Sequence, residues 1–199
     1  MRAGSKFVVS VVVADRTGII RDVSTAIADL GGNIDGVRQT VVEGWFSITL
    51  TAALPAGVDE AGLRAALDRH FTRDEASIVV RPFRPVKVPS SIANGTPYVL
   101  SITGEDKPGI LKRATAYLAD KGINIEDFEY MLEGATVTYI GHLTVPRKLH
   151  IRQVQEELRD RLAELGMRCT LQHENIFRAT NEVGPIRALL REDDHARQA

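Results

Sequence analysis

Cysteine is almost absent: Cys169 is the one in 199 residues. A single thiol excludes an intramolecular disulfide and any zinc cage built from paired cysteines. Long apolar runs are missing too. The longest, Phe7 to Ala14, contains Ser10 and is far too short to span a bilayer. There is no excess of charge of either sign; the formal net charge of −1 gives no pull toward phosphate backbones or anionic membranes. A lone Arg2 stands before the first apolar run and no cleavage site follows it, which argues against a signal peptide and for a cytoplasmic protein. His70, His142, His150, His173 and His195 show no metal-ligand spacing, so no metal and no cofactor are expected.

What is present is the balance of an ordinary globular chain, 44% apolar and 26% charged. Residues 6–14 read as a buried strand, with Phe7, Val8, Val9, Val11, Val12 and Val13 mostly β-branched. Ile19, Val23, Ala26, Ile27 and Leu30 then recur at helical spacing, until Gly31-Gly32 stops the helix. A strand follows from Asn33 or Ile34 to Val42, then a Glu43-Gly44 turn. Phe46, Ile48, Leu50, Ala52 and Leu54 next alternate with Trp45, Ser47, Thr49 and Thr51, the cleanest strand signal in the chain. Pro55 closes it. A second helix carries Leu63, Ala66, Leu67, His70 and Phe71 on one face, and Ala76 to Phe83 is a last strand. Strand, helix, strand, strand, helix, strand is the split βαβ, or ferredoxin-like, order.

The order then repeats with an offset of 91 residues, Gly18 to Gly109. Asp15-Arg16-Thr17-Gly18-Ile19 returns as Asp106-Lys107-Pro108-Gly109-Ile110, Asn33-Ile34 as Asn124-Ile125, and Pro55 as Pro146. Even the phase of alternation is kept: Phe46, Ile48, Ala52 and Leu54 match Val137, Tyr139, Leu143 and Val145. Such register over a whole unit marks an internal duplication. The predicted architecture is α+β: two ferredoxin-like βαββαβ domains in tandem, each an antiparallel sheet with helices on one face. Domain 1 spans 1–84, a proline-bearing linker 85–96, and domain 2 spans 97–174. The tail, 175–199, has Ile176-Phe177 and Ile186, Leu189 and Leu190 able to dock a short helix. Gly184-Pro185 interrupts it, and the polar end from Arg191 is expected to be disordered.

A duplicated βαββαβ unit with D-x-x-G-I at the first strand–helix turn and G-x-N-I after the helix resembles the ACT domain family. The stand-alone tandem form is most similar to the group of the glycine cleavage system transcriptional repressor. The resemblance implies a small-molecule sensor, above all for amino acids, with ligand held between paired domains by the first loop and the start of the second strand. Carried onto matching positions, it marks Asp15, Arg16, Thr17, Gly18 and Asn33 in the first copy. In the second it marks Asp106, Lys107, Pro108, Gly109 and Asn124. Two departures stand out. Thr17 replaces the proline common before the glycine, and the histidine-x-asparagine arrangement of serine-sensing members is missing, with Val13 and Asp15 or Gly104 and Asp106 in those places.

The residue types suit that chemistry. A helix N-terminus offers N–H groups and partial positive charge to a carboxylate. Glycine allows close approach of the backbone, an aspartate accepts from an ammonium group, and asparagine can hold either. Each also has a plain structural reading. Asp15, Thr17 and Asp106 can satisfy local backbone donors, Pro108 can open a helix, and the asparagines can be turn residues. Cys169 alternates with Leu171 and reads as a small packing residue. Trp45 reads equally as an interface residue or as partly covered by a helix.

No nucleophile–base pair is visible, so an enzyme is not expected. The same topology serves acylphosphatases, RNA-recognition domains and metal chaperones. This chain lacks the glycine-rich anion loop with its arginine, the aromatic stacking set and the Cys-x-x-Cys those need. With every helix bounded by strands there is no helix-turn-helix, and no direct nucleic-acid contact is expected. The expected partners are a small molecule and a regulatory protein or metabolic enzyme, with pairing of units inside the chain or across a homo-oligomer. The rival expectation is an interaction module that has no bound ligand and docks partners through its first helices and tail.

Overall fold

A computed structural model describes residues 4–72, 74–87 and 90–181. The chain forms two compact units, Met1–Val86 and Lys87–Ala199. In the first, β1 (Ser5–Ala14), α1 (Ile19–Ala28), β2 (Asn33–Val42), β3 (Trp45–Leu54), α2 (Glu60–Leu67) and β4 (Ala76–Pro82) follow the ferredoxin-like order. The sheet order is β2-β3-β1-β4, and every pairing is antiparallel. The second begins with a single helical turn, α3 (Ser90–Ala93), where the sequence suggests only a linker. It continues with β5 (Thr96–Glu105), α4 (Ile110–Asp120), β6 (Asn124–Glu133), β7 (Thr136–Val145), α5 (Ile151–Ala163), β8 (Arg168–His173) and α6 (Glu174–Asn181). Its sheet order is β6-β7-β5-β8.

The duplication holds pair by pair. Ser5 faces Leu54 in the first sheet and Thr96 faces Val145 in the second; Phe7 faces Pro82, and Tyr98 faces His173. Both copies break the β2–β3 or β6–β7 ladder at the same point, between Ile34 and Gly36 and between Ile125 and Asp127. An extra residue at a fixed place in both edge strands is a retained bulge.

Each core is built by the alternation read from the sequence. Val9, Val11 and Val13 on β1 and Phe46, Ile48, Leu50, Ala52 and Leu54 on β3 point one way, and Ile19, Val23, Ala26 and Ile27 on α1 with Leu63, Ala66 and Leu67 on α2 close over them. Burying one such aliphatic side chain contributes about 1.5–3 kcal/mol. The second core repeats the plan with Leu100, Ile102, Ile110, Ala114, Leu118, Val154, Leu158 and Leu162. The copies exchange volume where they differ. Val13 faces Ala76 in the first sheet, whereas in the second a Cβ on Gly104 would lie 2.6 Å from the sulfur of Met167, which stands where Ala76 does. The larger side chain has moved across the strand pair, and the small residue with it.

Of the tail, residues 174–181 are helical, and Phe177 meets the ring of His142 edge to face while Ile176 stays 56% exposed. Ile186, Leu189, Leu190 and the polar end from Arg191 lie outside the described residues.

Candidate functional site

The two D-x-x-G-I turns have one geometry. Gly18 has φ 96° and ψ −1°, Gly109 φ 94° and ψ −3°, and each is the N-cap of its helix. That left-handed conformation costs an L-residue about 1–2 kcal/mol, which explains glycine there. Neither helix has a side-chain cap, so Asp15, Thr17 and Asp106 do not serve as caps. Pro108 stands just before the N-cap instead of opening the helix. The backbone N–H of Asp15 donates to Gly44 O at 2.8 Å and that of Asp106 to Ala135 O at 3.1 Å, tying each loop to the neighbouring hairpin turn. The aspartate side chains stay exposed beside an uncapped helix start.

Around this shared turn the charges differ. In the first copy Arg16 donates to Asp22 at 2.9 Å and to Glu75 at 3.1 Å, and its guanidinium lies 5.5 Å from the centre of the Phe71 ring. Arg21 donates twice to the other oxygen of Asp22, at 3.0 and 2.8 Å. Asp22 is 8% exposed, and the hydrogen bonds from Arg21 and then Arg16 hold its carboxyl below the usual aspartate range against the opposing effect of burial. Arg21 also lies across the turn: a Cβ on Gly18 would be 3.1 Å from its guanidinium.

In the second copy the matching residues are Lys107, Lys112 and Arg113, with Gly166 in place of Glu75. Arg113 turns to Glu164 and to Arg161 O, Lys107 pairs with Glu105 at 3.1 Å in the open, and among the described residues nothing lies within 4 Å of the space above Gly109. The first helix start is covered and self-neutralised; the second is open.

Asn33 and Asn124 are not brought to their own loops. Asn33 faces Ala53 at one end of β3, while the loop leaves β1 where Ala14 faces Trp45 at the other. Eight residues of strand, about 27 Å, separate the two ends. Asn124 likewise faces Thr144. Its side chain donates to Glu126 at 2.7 Å, which Thr144 also holds at 2.9 Å, so it supports the bulge. In the first copy Lys6 holds the bulge residue Asp35 at 2.9 Å.

Sequence reasoning missed Asp22, Arg21, Phe71 and Glu75. One signal was legible: Asp22 stands between Ile19 and Ala26 on the apolar stripe of α1, where an acid is out of place unless it is paired. Among the described residues no group of three or more potential metal ligands is present, and no helix is long and apolar enough to cross a membrane.

A duplicated ferredoxin-like sheet with a left-handed glycine before a helix without a side-chain cap at each first turn is the arrangement of a class of regulatory small-molecule-binding domains. Two models of the ACT domain match the chain, over residues 7–69 and 96–172, and the chain belongs to the ACT domain family. That membership supports a regulatory, ligand-sensing role. A UPF0237 protein of Streptococcus mutans is 44% identical over 59 residues, 30% of this chain and 67% of the relative. One of Corynebacterium diphtheriae is 51% identical over 43 residues, 22% of this chain and 48% of the relative. This chain thus spans about half to two thirds of such relatives. Among solved structures, an unknown protein of Galdieria sulphuraria superposes with TM-score 0.71 at 27% identity, covering 85% of this chain and 98% of that one. A candidate glycine cleavage system transcriptional repressor superposes with TM-score 0.61 at 16% identity over 85% of this chain and 96% of its own, a likeness of fold.

Proposed function

We propose that the chain is a non-catalytic regulator that senses an amino acid at its ACT loops and passes the result to a metabolic regulator or enzyme, control of the glycine cleavage system being one such role. The observation that carries this reading is the pair of matched turns, with Gly18 and Gly109 in one left-handed conformation before uncapped helices. Free N–H groups suit the ligand carboxylate, and the exposed Asp15 or Asp106 suits its ammonium group. The asparagines lie at the far end of each sheet, so a ligand touching both motifs needs two ACT units. Antiparallel edges would bring the loop of one to the asparagine of the other. A cytoplasmic homo-oligomer is the form in which we expect it to act. Any change of arrangement is bounded by the ligand's differential affinity for the two states.

Calorimetry against the common amino acids tests this. Saturable binding by at least one, lost in Asp106→Ala with folding retained, is the expected result. A second reading, an interaction module without ligand, gains support from Arg16, whose guanidinium is already held by Asp22 and Glu75. Capture of a purified partner that is indifferent to added amino acids would favour it.

A further inference from the structure

Three rings in the second unit have no counterpart in the first. Phe128, Tyr130 and Tyr139 stand where the first unit has Val37, Gln39 and Ile48. Tyr130 faces Tyr139 across β6 and β7, and Tyr139 belongs to the core under the helices, so both rings lie on the helix side. Their centres are 5.4 Å apart. Phe128 lies 5.7 Å from the same Tyr139 ring and opposite Gly141, where an added Cβ would be 3.0 Å from it. The glycine makes room for the ring, and the first unit has Leu50 there. Tyr130 remains 51% exposed. The row of rings runs toward the second D-x-x-G-I loop: Leu132 faces Val137, and the turn beyond holds the N–H of Asp106 through Ala135 O.

Tyr139 links the rings to the loop. It is 6% exposed, and its hydroxyl makes no hydrogen bond among the described residues, yet it is not sealed in the core as that of Tyr117 is. Burial, then the Asp106 charge and Tyr130, push its pKa up, which sets the hydroxyl within reach of the Asp106 carboxylate and keeps it a donor. A polar group so nearly buried ordinarily has a partner. Here an unpaired O–H adjoins the free N–H groups at the start of α4 and an exposed aspartate.

We infer that the second loop takes an amino acid with an aromatic side chain. Its carboxylate is held by Tyr139 and the N–H groups of α4, its ammonium group by Asp106, and its ring packs on Tyr130. The inference rests on the sensing role proposed above and goes further by naming the side chain. In the first copy Gln39 and Ile48 offer neither ring nor hydroxyl, and Arg21 lies over the turn. The selectivity therefore belongs to the second loop alone.

Titration calorimetry of the full chain with phenylalanine and with alanine tests this, the heat lost in Asp106→Ala marking the second loop. Phenylalanine is expected to bind about tenfold tighter than alanine or better. Tyr130→Gln, which installs the first unit's residue, should remove that preference and leave alanine unchanged. Tyr139→Phe keeps the ring and should weaken both ligands by one factor, about tenfold. Circular dichroism checks that each variant is folded. Alanine bound as tightly as phenylalanine overturns the inference and leaves the sensing role standing. So does phenylalanine affinity unchanged in Tyr130→Gln or in Tyr139→Phe, or a loss of both ligands in Tyr130→Gln, which would make the ring a support of the fold or of an assembly. Binding by no amino acid overturns the inference and the sensing role together.

Discussion

Asp22 is the residue on which the first loop turns. It sits in the apolar stripe of α1 because two arginines, Arg16 and Arg21, satisfy it from both sides. Its carboxyl is held low, so its contribution to stability is present above the ordinary aspartate pKa of about 3.9 and is lost as the pH falls through the lower folded value. Thermal melts should show wild type losing more stability than Asp22→Asn on acidification below about pH 4, and Asp22→Asn already weakened at neutral pH. Parallel melting curves would mean the pairing carries no net stability. Tyr117, the counterpart of Ala26, makes the opposite point. Its hydroxyl is buried and makes no hydrogen bond of good geometry among the described residues; its one polar neighbour, the Glu157 carboxylate, is already held by Lys121 and Gln153. Burial, and after it the neighbouring Glu157 carboxylate, push its pKa well above the ordinary tyrosine value. Removing a buried hydroxyl that makes no well-formed hydrogen bond, while keeping the ring, leaves packing intact, so Tyr117→Phe should unfold in urea at the same concentration as wild type or higher, with a gain of up to about 1 kcal/mol.

At the scale of elements, the two loop-to-helix junctions should answer alike to backbone change and unlike to side-chain change. Gly18→Ala and Gly109→Ala each force an L-residue to a φ near 95°, and each should cost about 1–2 kcal/mol in urea unfolding. A loss at one position only would show that the turns are not mechanically equivalent. Arg21→Ala, in contrast, should uncover the first helix start, and any ligand heat from that loop should rise. The strands, helices and their 91-residue offset were legible because periods of two and 3.6 are local and the second copy repeats them. Helix α6 was half legible, through Ile176-Phe177, but which of the pair docks depends on crossing the sheet end. Residues 90–93 form a turn of helix that no periodicity marks. The candidate residues were legible in the sequence, and their separation in space was not. Asp15–Gly18 and Asn33 are close in sequence, yet β1 and α1 carry the chain up and back, leaving them at opposite ends of the sheet. The pairing of Arg16 with Asp22 and Glu75 needs a side chain to reach across 59 residues of sequence, and no local pattern encodes that.

For the whole molecule, duplication has produced two copies with one backbone and different electrostatics. In the first, the loop cation is taken up inside the unit, and Arg21 lies over the turn. In the second, Arg113 replaces Asp22, Lys107 pairs with exposed Glu105, and among the described residues the helix start is open. A regulator built this way has one loop suited to accept an anionic group and one already satisfied. The two sites should therefore differ in affinity even for the same ligand. The direct measurement is isothermal titration of the full chain with each common amino acid, repeated on Asp15→Ala and Asp106→Ala, with circular dichroism confirming that each variant is folded. The expected result is saturable binding of at least one amino acid, reduced tenfold or more by Asp106→Ala, a loss of about 1.4 kcal/mol, and changed less by Asp15→Ala. Absence of binding by every amino acid to the folded wild-type chain would contradict it.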